Sequence, residues 1–526
     1  MDSAFIPAPY GGVDELIPVV GIKSPFCENL FNFNANQVGI TLRNGDSVYD
    51  TFTRAGGGDI MGMFPYGDST KLFIAIRDRF AGTIDFIDAD DGSVDYTTIN
   101  SLATTALTST YFNGYLFIFG NTSTLATGIT FNGSAWGTSG YTGSNLWPIG
   151  GNIFNHRQYL IQLNEAAYWY SGIDLISGAC TKVDLSGIVE NQTTLSSIGS
   201  FTLATQAGGS INYQAFIMAN GEVLFYSGSY PDGSDWTQVG KAKVSQPLAP
   251  SSTIAYQGDT LLLTDLGLVS MRDLFLTGSQ EAASLTLSDR TQKTWNALVQ
   301  AIRTSLTTPT GPITAGYLVG IIRGIFDAKN SRIVISFPYY VASDGTLTTG
   351  SFYFVFNSEL GSWYFHRSFG GRIYDICRYK NVVMMITTPS NSNGTFVVYQ
   401  KEGATNFTDR NSANDANTVF DYEMISAPVP YKKDAVYTIS GIEPIIESDL
   451  YAQTNWNLVA DFGRQETADQ VVDALTTSVQ KPMVNIGITA NFVQVKMSGT
   501  TAASKTVGLS LYGYNVWFDA GEKGSR

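Results

Sequence analysis

A mainly β fold is predicted, an irregular β-propeller with one inserted helix, by three features of the sequence. Short apolar runs recur along most of its length, Asn-Gly and Asp-Gly turns separate them, and a turn followed shortly by tryptophan repeats. The runs include Lys71–Ile76, Thr83–Ile87, Tyr115–Phe119, Gln158–Leu163, Ala215–Met218, Thr260–Leu263, Arg332–Phe337, Ser351–Phe356 and Val382–Ile386. Turn pairs stand at Asp91-Gly92, Asn113-Gly114, Asn132-Gly133, Asn220-Gly221 and Asp344-Gly345. Such dipeptides supply the positive φ that a two-residue hairpin requires, so consecutive runs read as antiparallel neighbours. The echo Asn132-Gly-Ser-Ala-Trp136, Asp232-Gly-Ser-Asp-Trp236, Glu359-Leu-Gly-Ser-Trp363 fits repeated four-strand units, each carrying an aromatic anchor. A stack of β-sandwiches is the structural alternative.

Three regions are expected. Residues 1–60 are broken by Pro7, Pro9, Pro18 and Pro25, end at Gly56-Gly57-Gly58, and read as an extended N-terminal arm or platform. Residues 61–420 carry the propeller-like repeats, with a helical insertion near 285–306: Asp289 and Gln292 have capping-box spacing, and Trp295, Leu298, Val299, Ile302 and Leu306 share a face. Residues 421–526 read as a small C-terminal β domain, from the runs Tyr437–Ile446, Asn491–Met497 and Val507–Phe518. A helix is expected there near 467–479, because Thr467 and Gln470 repeat the cap spacing ahead of Val471, Val472, Leu475 and Val479.

Composition narrows the function. Charged residues make up 14% of the 526, against roughly 25% in ordinary soluble domains, while Gly reaches 53 copies. Much of the surface is then hydroxyl, amide, glycine and tyrosine, which suits an assembly subunit with large contact faces. Net charge is −14, and no Lys/Arg-rich run occurs. Tight nucleic-acid binding, which needs phosphate neutralisation, is disfavoured; an acidic lining suits DNA that must slide without sticking.

The search for chemistry is negative. Cys27, Cys180 and Cys377 have no metal or redox spacing and read as structural thiols. No GxxxxGK[ST], GxSxG or HExxH motif occurs, and His156 and His366 lack a neighbouring nucleophile pattern. Asp88-Ala-Asp-Asp-Gly-Ser93 has the oxygen density of a calcium loop but lacks its closing glutamate, position 99 being Ile99, and reads as a solvated turn. Asp232–Trp236 is one residue short of a glycosidase Asp box. No catalytic, cofactor-binding or metal-binding residue is assigned, and no enzyme activity is expected. The opening residues lack a basic n-region and apolar h-region, so no classical signal peptide is expected. The most apolar stretch, Ala315–Phe326, is interrupted by Arg323 and too short to span a membrane.

One resemblance cuts across these readings. In Tyr213–Met271 an Asn-Gly hairpin is followed by Tyr226-Ser-Gly228, Pro231, Trp236, Val239-Gly240 and Gly258-Asp-Thr-Leu-Leu-Leu-Thr264. Together with Phe354-Val-Phe-Asn-Ser-Glu-Leu-Gly-Ser-Trp363, the Arg378–Gln400 hairpin and Thr408-Asp409, this order resembles the tail hub, nozzle or packaged-DNA-stabilisation proteins of short-tailed phages. The resemblance covers residues 1–420 at the level of motif order. It implies a structural virion protein made in the host cytoplasm and carried in the tail. It further implies a cyclic homo-oligomer, commonly a hexamer, below the portal and adaptor ring. That ring would meet tail needle, fibre or spike proteins and pass double-stranded DNA through its lumen without sequence-specific binding. The arm and the two expected helices are natural intersubunit contacts in that picture. A host-glycan-binding or glycan-cleaving tail propeller is the alternative.

Overall fold

The computed structural model describes residues 2–16, 22–53, 58–67, 70–78, 83–99, 107–120, 128–205, 208–248, 252–278, 289–307, 322–341, 347–368, 372–388, 395–403, 409–411, 416–418, 421–428, 436–448, 452–460, 465–474, 479–486, 488–490, 492–501 and 509–521. The protein is mainly β, as the hairpin pattern requires.

Among the described residues, seven antiparallel sets of three or four strands follow one another along the chain. The first holds Asp59–Tyr66, Lys71–Arg77, Thr83–Asp88 and Val94–Ile99; the second Leu107–Phe112, Tyr115–Gly120, Ile129–Phe131 and Trp136–Thr138. The third holds Pro148–Phe154, Arg157–Gln162, Ala167–Tyr170 and Thr181–Asp184; the fourth Leu195–Ala204, Ser210–Met218, Glu222–Ser227 and Thr237–Lys243. The fifth has three strands, Thr253–Tyr256, Asp259–Thr264 and Gly267–Ser270. The sixth holds Arg323–Asp327, Arg332–Val341, Leu347–Asn357 and Ser362–Ser368. The seventh holds Arg372–Tyr379, Val382–Thr388 and Thr395–Gln400, and its fourth strand is Ser47–Thr53, from near the start of the chain.

The sheets form a circuit. The first strand of each touches the first strand of the next, and Arg372–Tyr379 of the seventh touches Asp59–Tyr66 of the first. Faces pack against faces, so the second strands are buried on both sides and lose the polar alternation of a half-exposed strand. Leu72, Ile74 and Ile76 face the core shared with the seventh sheet, while Phe73 and Ala75 face the second sheet. Leu116 and Ile118 then face back and Phe117 and Phe119 forward; Phe216 and Met218, then Ala215 and Ile217, repeat the division in the fourth sheet. Each such side chain contributes roughly 1.5–3 kcal/mol on burial, which is why these stretches are the most apolar of the circuit.

The turns follow their dipeptides. Asn113 and Gly114 sit at φ 47° and 81° and join the first two strands of the second sheet. Gly221, at φ 85°, joins the second and third strands of the fourth. Asp344-Gly345 lies outside the described residues. The three repeated tryptophans serve one purpose in three sheets. Trp136 opens the fourth strand of the second sheet, Trp236 immediately precedes that of the fourth, and Trp363 is the second residue of that of the sixth. Their rings lie against Tyr96 at 5.3 Å, Tyr226 at 5.4 Å and Phe356 at 4.9 Å between centroids.

The inserted helix α2, Gln292–Thr307, follows a short 3-10 turn at Asp289–Thr291. Trp295, Leu298, Val299 and Ile302 are buried, and Trp295 packs edge-on against Phe337 and Phe354 of the sixth sheet. An unforeseen helix, α1 (Met271–Thr277), follows directly on the strand Gly267–Ser270. Ser270 caps it by accepting the Asp273 N–H, and Gly278 ends it at φ 74°.

The two ends of the chain require corrections. The strands described within residues 1–60, expected as an extended arm or platform, are joined into sheets with distant parts of the chain. Asp2–Pro7 pairs with Leu509–Gly521, while Gly12–Val13 bridges the sixth sheet to Phe26–Phe31, which pairs in turn with Asp421–Ser426. The sixth sheet thereby grows to eleven strands and continues through Val493–Thr500 and Ala452–Ala460. A six-stranded sheet containing Phe33–Asn36, Gly39–Leu42, Val436–Ser448 and Leu509–Gly521 faces it, and Leu30, Phe33, Met424, Trp456, Val495 and Val516 are buried between them. The expected C-terminal domain is therefore a sandwich built from both ends.

The helix expected near 467–479 is also corrected: Gln470–Ala474 is a strand paired with Ala452–Ala460. Val471 is 57% exposed and Val472 6%, the period of a strand, and two adjacent β-branched residues favour that outcome. One face of α2 packs on the sixth sheet while Lys293, Ala297, Gln300 and Arg303 stay exposed, and the paired strand Asp2–Pro7 still exposes Phe5.

Candidate functional site

Three polar constellations stand out, and residues distant in sequence build each. The first is a cavity of about 400 Å³ where the first strands of the circuit converge, lined among others by Met63, Thr108, Gly151, Thr253, Arg323 and Asp375. A bulge between Ile373 and Asp375 re-aims the Asp375 carboxylate. Its Oδ2 accepts the Met63 N–H at 2.7 Å and its Oδ1 the Ile376 N–H at 2.8 Å, while Arg323 Nε lies 3.5 Å away. Arg323 Nη2 donates to Leu107 O at 3.1 Å. Burial pushes the Asp375 carboxyl up, and Arg323 and the two N–H groups oppose the shift. The pair staples the first, second, sixth and seventh sheets together, and Asp375 is the one carboxylate among the lining residues. Paired carboxylates for sugar hydrolysis are not assembled there.

The second is a groove of about 420 Å³ between the third, fourth and fifth sheets, lined by Asn155, Thr202, Asn212, Tyr256 and Thr260 among others. Its one carboxylate, Asp259, is committed to the Thr260 and Arg272 N–H groups at 2.7 and 3.0 Å and to Ser270 Oγ at 2.5 Å.

The third is a buried ionic seam between circuit and sandwich. Glu402 pairs with Arg332 at 2.9 Å, Arg332 with Asp327 at 3.1 Å, and Arg43 lies 3.7 Å from Asp46. Asp46 Oδ1 accepts the Glu402 N–H at 2.9 Å. Lys401, 1% exposed, sits 3.8 Å from Glu402 and 4.1 Å from the centre of the Tyr353 ring. Burial works against the charge on Glu402, but Arg332, His366 and Lys401 outweigh it and hold the carboxyl well below the usual carboxylate range. His366 is fully buried beside Phe33 O at 3.2 Å; burial and Lys401 push it down to about 3, so it is neutral near pH 7. Low dielectric, three cations and three carboxylates in one cluster make this a lock between bodies, and its removal one partner at a time is costly.

Of the residues weighed from sequence, His366 lies in the seam and Cys377 lines the first cavity; the others fall outside these constellations. His156 is exposed beside Asp174 at 3.2 Å. Asp88 pairs with Lys71 at 2.8 Å and caps the Asp90 N–H, while Asp91 caps Ser93, so the acidic run is a hydrogen-bonded turn. No group of three or more His, Cys, Asp or Glu suited to a metal occurs among the described residues. All three cysteines are buried and free. Asp232 bonds Tyr170, a packing role in place of an Asp-box site. Arg323, Asp375 and the groove amides carry no sequence signal, because each cavity draws single residues from several strands.

No family model and no curated protein matches this chain. Among solved structures, the computationally designed Ika8 protein aligns at 10% identity and TM-score 0.36, covering 68% of this chain and all of that one. The β-propeller domain of Myceliophteria thermophila Cps50 (Swd1) aligns at 10% identity and TM-score 0.39, covering 67% and 99%. BamB from Moraxella catarrhalis aligns at 10% and 0.34, covering 70% and 96%. Likeness at this level transfers no function. No described helix is long and apolar enough to cross a membrane.

Proposed function

We propose that the circuit is a seven-bladed β-propeller closed by Ser47–Thr53, and that the chain is a non-enzymatic structural subunit of a short phage tail. It assembles into a ring, a hexamer in the simplest case, seated below a portal and adaptor, through which genomic DNA is retained and ejected. The observation that carries this reading is the fate of the residues that resemble the tail nozzle family. Asn220-Gly221, Trp236 and Asn357–Trp363 are turns and packing anchors outside both cavities, and of the resembling residues that do line one, Gly258 makes a turn and Asp259 and Thr260 are committed to hydrogen bonds within the fold. A resemblance made of architectural residues argues for an architectural role.

Two further features support it. The acidic balance of −14 suits a lumen that releases DNA, since like charge removes the contacts that would hold phosphates. The exposed apolar side chains Phe5, Val471, Val479 and Met483 are carried by the sandwich and its flanking segments and offer surface to a neighbouring copy. A glycan-cleaving role is less well supported, because each cavity offers one carboxylate and hydrogen bonds commit it. Native mass spectrometry of the purified chain tests the assembly: a closed oligomer of uniform copy number supports the ring, and monomer at every concentration argues against it.

A further inference from the structure

The groove between the third, fourth and fifth sheets differs in kind from the cavity where the first strands converge, because its lining contains no lysine, arginine or histidine and its one carboxylate is consumed. A directed chain of hydrogen bonds runs along it. Thr202 Oγ1 donates to Asn212 Oδ1 at 2.9 Å, Asn212 Nδ2 donates to Asn155 Oδ1 at 3.4 Å, and Asn155 Nδ2 donates to Gly228 O at 3.0 Å. The chain fixes which way both amides point. Each primary amide carries two N–H groups and gives one to this chain, so a second donor on each is left for a ligand, beside the acceptor lone pairs of Thr202.

The walls are held as firmly. Thr202 N–H donates to Gly258 O at 2.9 Å, tying the fourth sheet to the turn of the fifth, and Thr260 Oγ1 donates to Ser200 O at 2.7 Å. That turn is tight, with Gln257 and Gly258 at φ 45° and 77°. Tyr256 turns its ring the other way, with Ile254 and Leu261, and packs edge-on against Phe326 of the sixth sheet at 5.0 Å, so its strand presents Thr253 and Ala255 to the groove.

We propose that this groove binds a neutral saccharide of about two rings. Pre-oriented amides and hydroxyls match the alternating donors and acceptors of sugar hydroxyls. The volume, about 420 Å³, lies within the range of small-molecule sites. A phosphorylated or nucleotide ligand would require a cation, and the lining supplies none. The site stands apart from ring assembly, so either can fail while the other holds.

Saturation-transfer NMR on the full-length chain tests it, with lactose, maltose, cellobiose and chitobiose as neutral probes and 3′-sialyllactose as the charged counterpart of lactose. At least one neutral disaccharide should bind with a millimolar Kd, and Asn212→Leu and Thr202→Val should each weaken it by about ten-fold or more, roughly 1.4 kcal/mol. The two variants are independent, and an unchanged Tm for either suffices to read its result as a site effect. Absence of transfer to all four neutral probes overturns the proposal. So does undiminished binding in a folded variant, or equal binding of the sialylated sugar through the same residues.

Discussion

The circuit and the sandwich are both antiparallel β, yet they are stitched in opposite ways. In the circuit, nearly every strand pairs with its neighbour in sequence, and one long-range partner, Ser47–Thr53, completes the seventh sheet. In the sandwich the defining pairs join the chain ends: Asp2–Pro7 with Leu509–Gly521, and Phe26–Phe31 with Asp421–Ser426. Local hairpins close short loops at low entropic cost, whereas end-to-end pairing requires most of the chain to be in place first. The circuit should therefore form early and stand without the sandwich, and the sandwich should depend on the circuit.

Removing residues 1–13 breaks this comparison most severely. It strips one edge of Leu509–Gly521 and the bridge between the sixth sheet and Phe26–Phe31. Protection from hydrogen exchange should fall to near-unprotected levels across Val436–Ser448 and Leu509–Gly521 while the first four sheets keep theirs; uniform loss would mean that the two bodies are one cooperative unit. Arg332→Ala, which leaves Glu402 and Asp327 buried without their cation, should cost about 3–5 kcal/mol in chemical denaturation. A cost below about 1 kcal/mol would show that the seam is solvated.

Phe52→Ala acts at the closing strand, where Phe52 stacks on Phe396 at 5.5 Å and is 8% exposed. It should cost about 3 kcal/mol and loosen the seventh sheet ahead of the sandwich. The smallest effect is on pH dependence. His366 is held down to about 3 from an ordinary 6.5, so the unfolded chain binds the extra proton in that window and stability falls as pH drops below about 6.5. The loss from His366 between pH 6.5 and 5 should be about 2 kcal/mol, and His366→Gln should flatten that part of the Tm profile. Glu402, held low, adds its own loss only below its ordinary 4.5, so the two contributions separate along the pH axis.

The same contrast explains what could be read from the sequence. Asn113-Gly114 and Asn220-Gly221 announce their hairpins because the turn chemistry is local, and the apolar runs mark second strands because both faces are covered. Trp295 and its neighbours show their period over more than two turns and form the expected helix. The segment at 467–479 misleads because Val471, Val472, Leu475 and Val479 carry helical spacing, while pairing of Gln470–Ala474 with Ala452–Ala460 decides the strand. The prolines and glycines of residues 1–60 suggest an extended arm or platform, and nothing local reveals that the strand partners lie hundreds of residues away. Arg323, Asp375, Asn155 and Asn212 escape notice for the same reason. Each is a single polar residue in a strand or turn, and only the circuit brings them together.

Cryo-electron microscopy of the purified full-length chain, with two-dimensional averages taken down the assembly axis, tests the central claim most directly. The account predicts a rotationally symmetric ring whose bore passes duplex DNA and carries an acidic lining. Averages showing compact monomers, or an assembly with no axial opening, would contradict it.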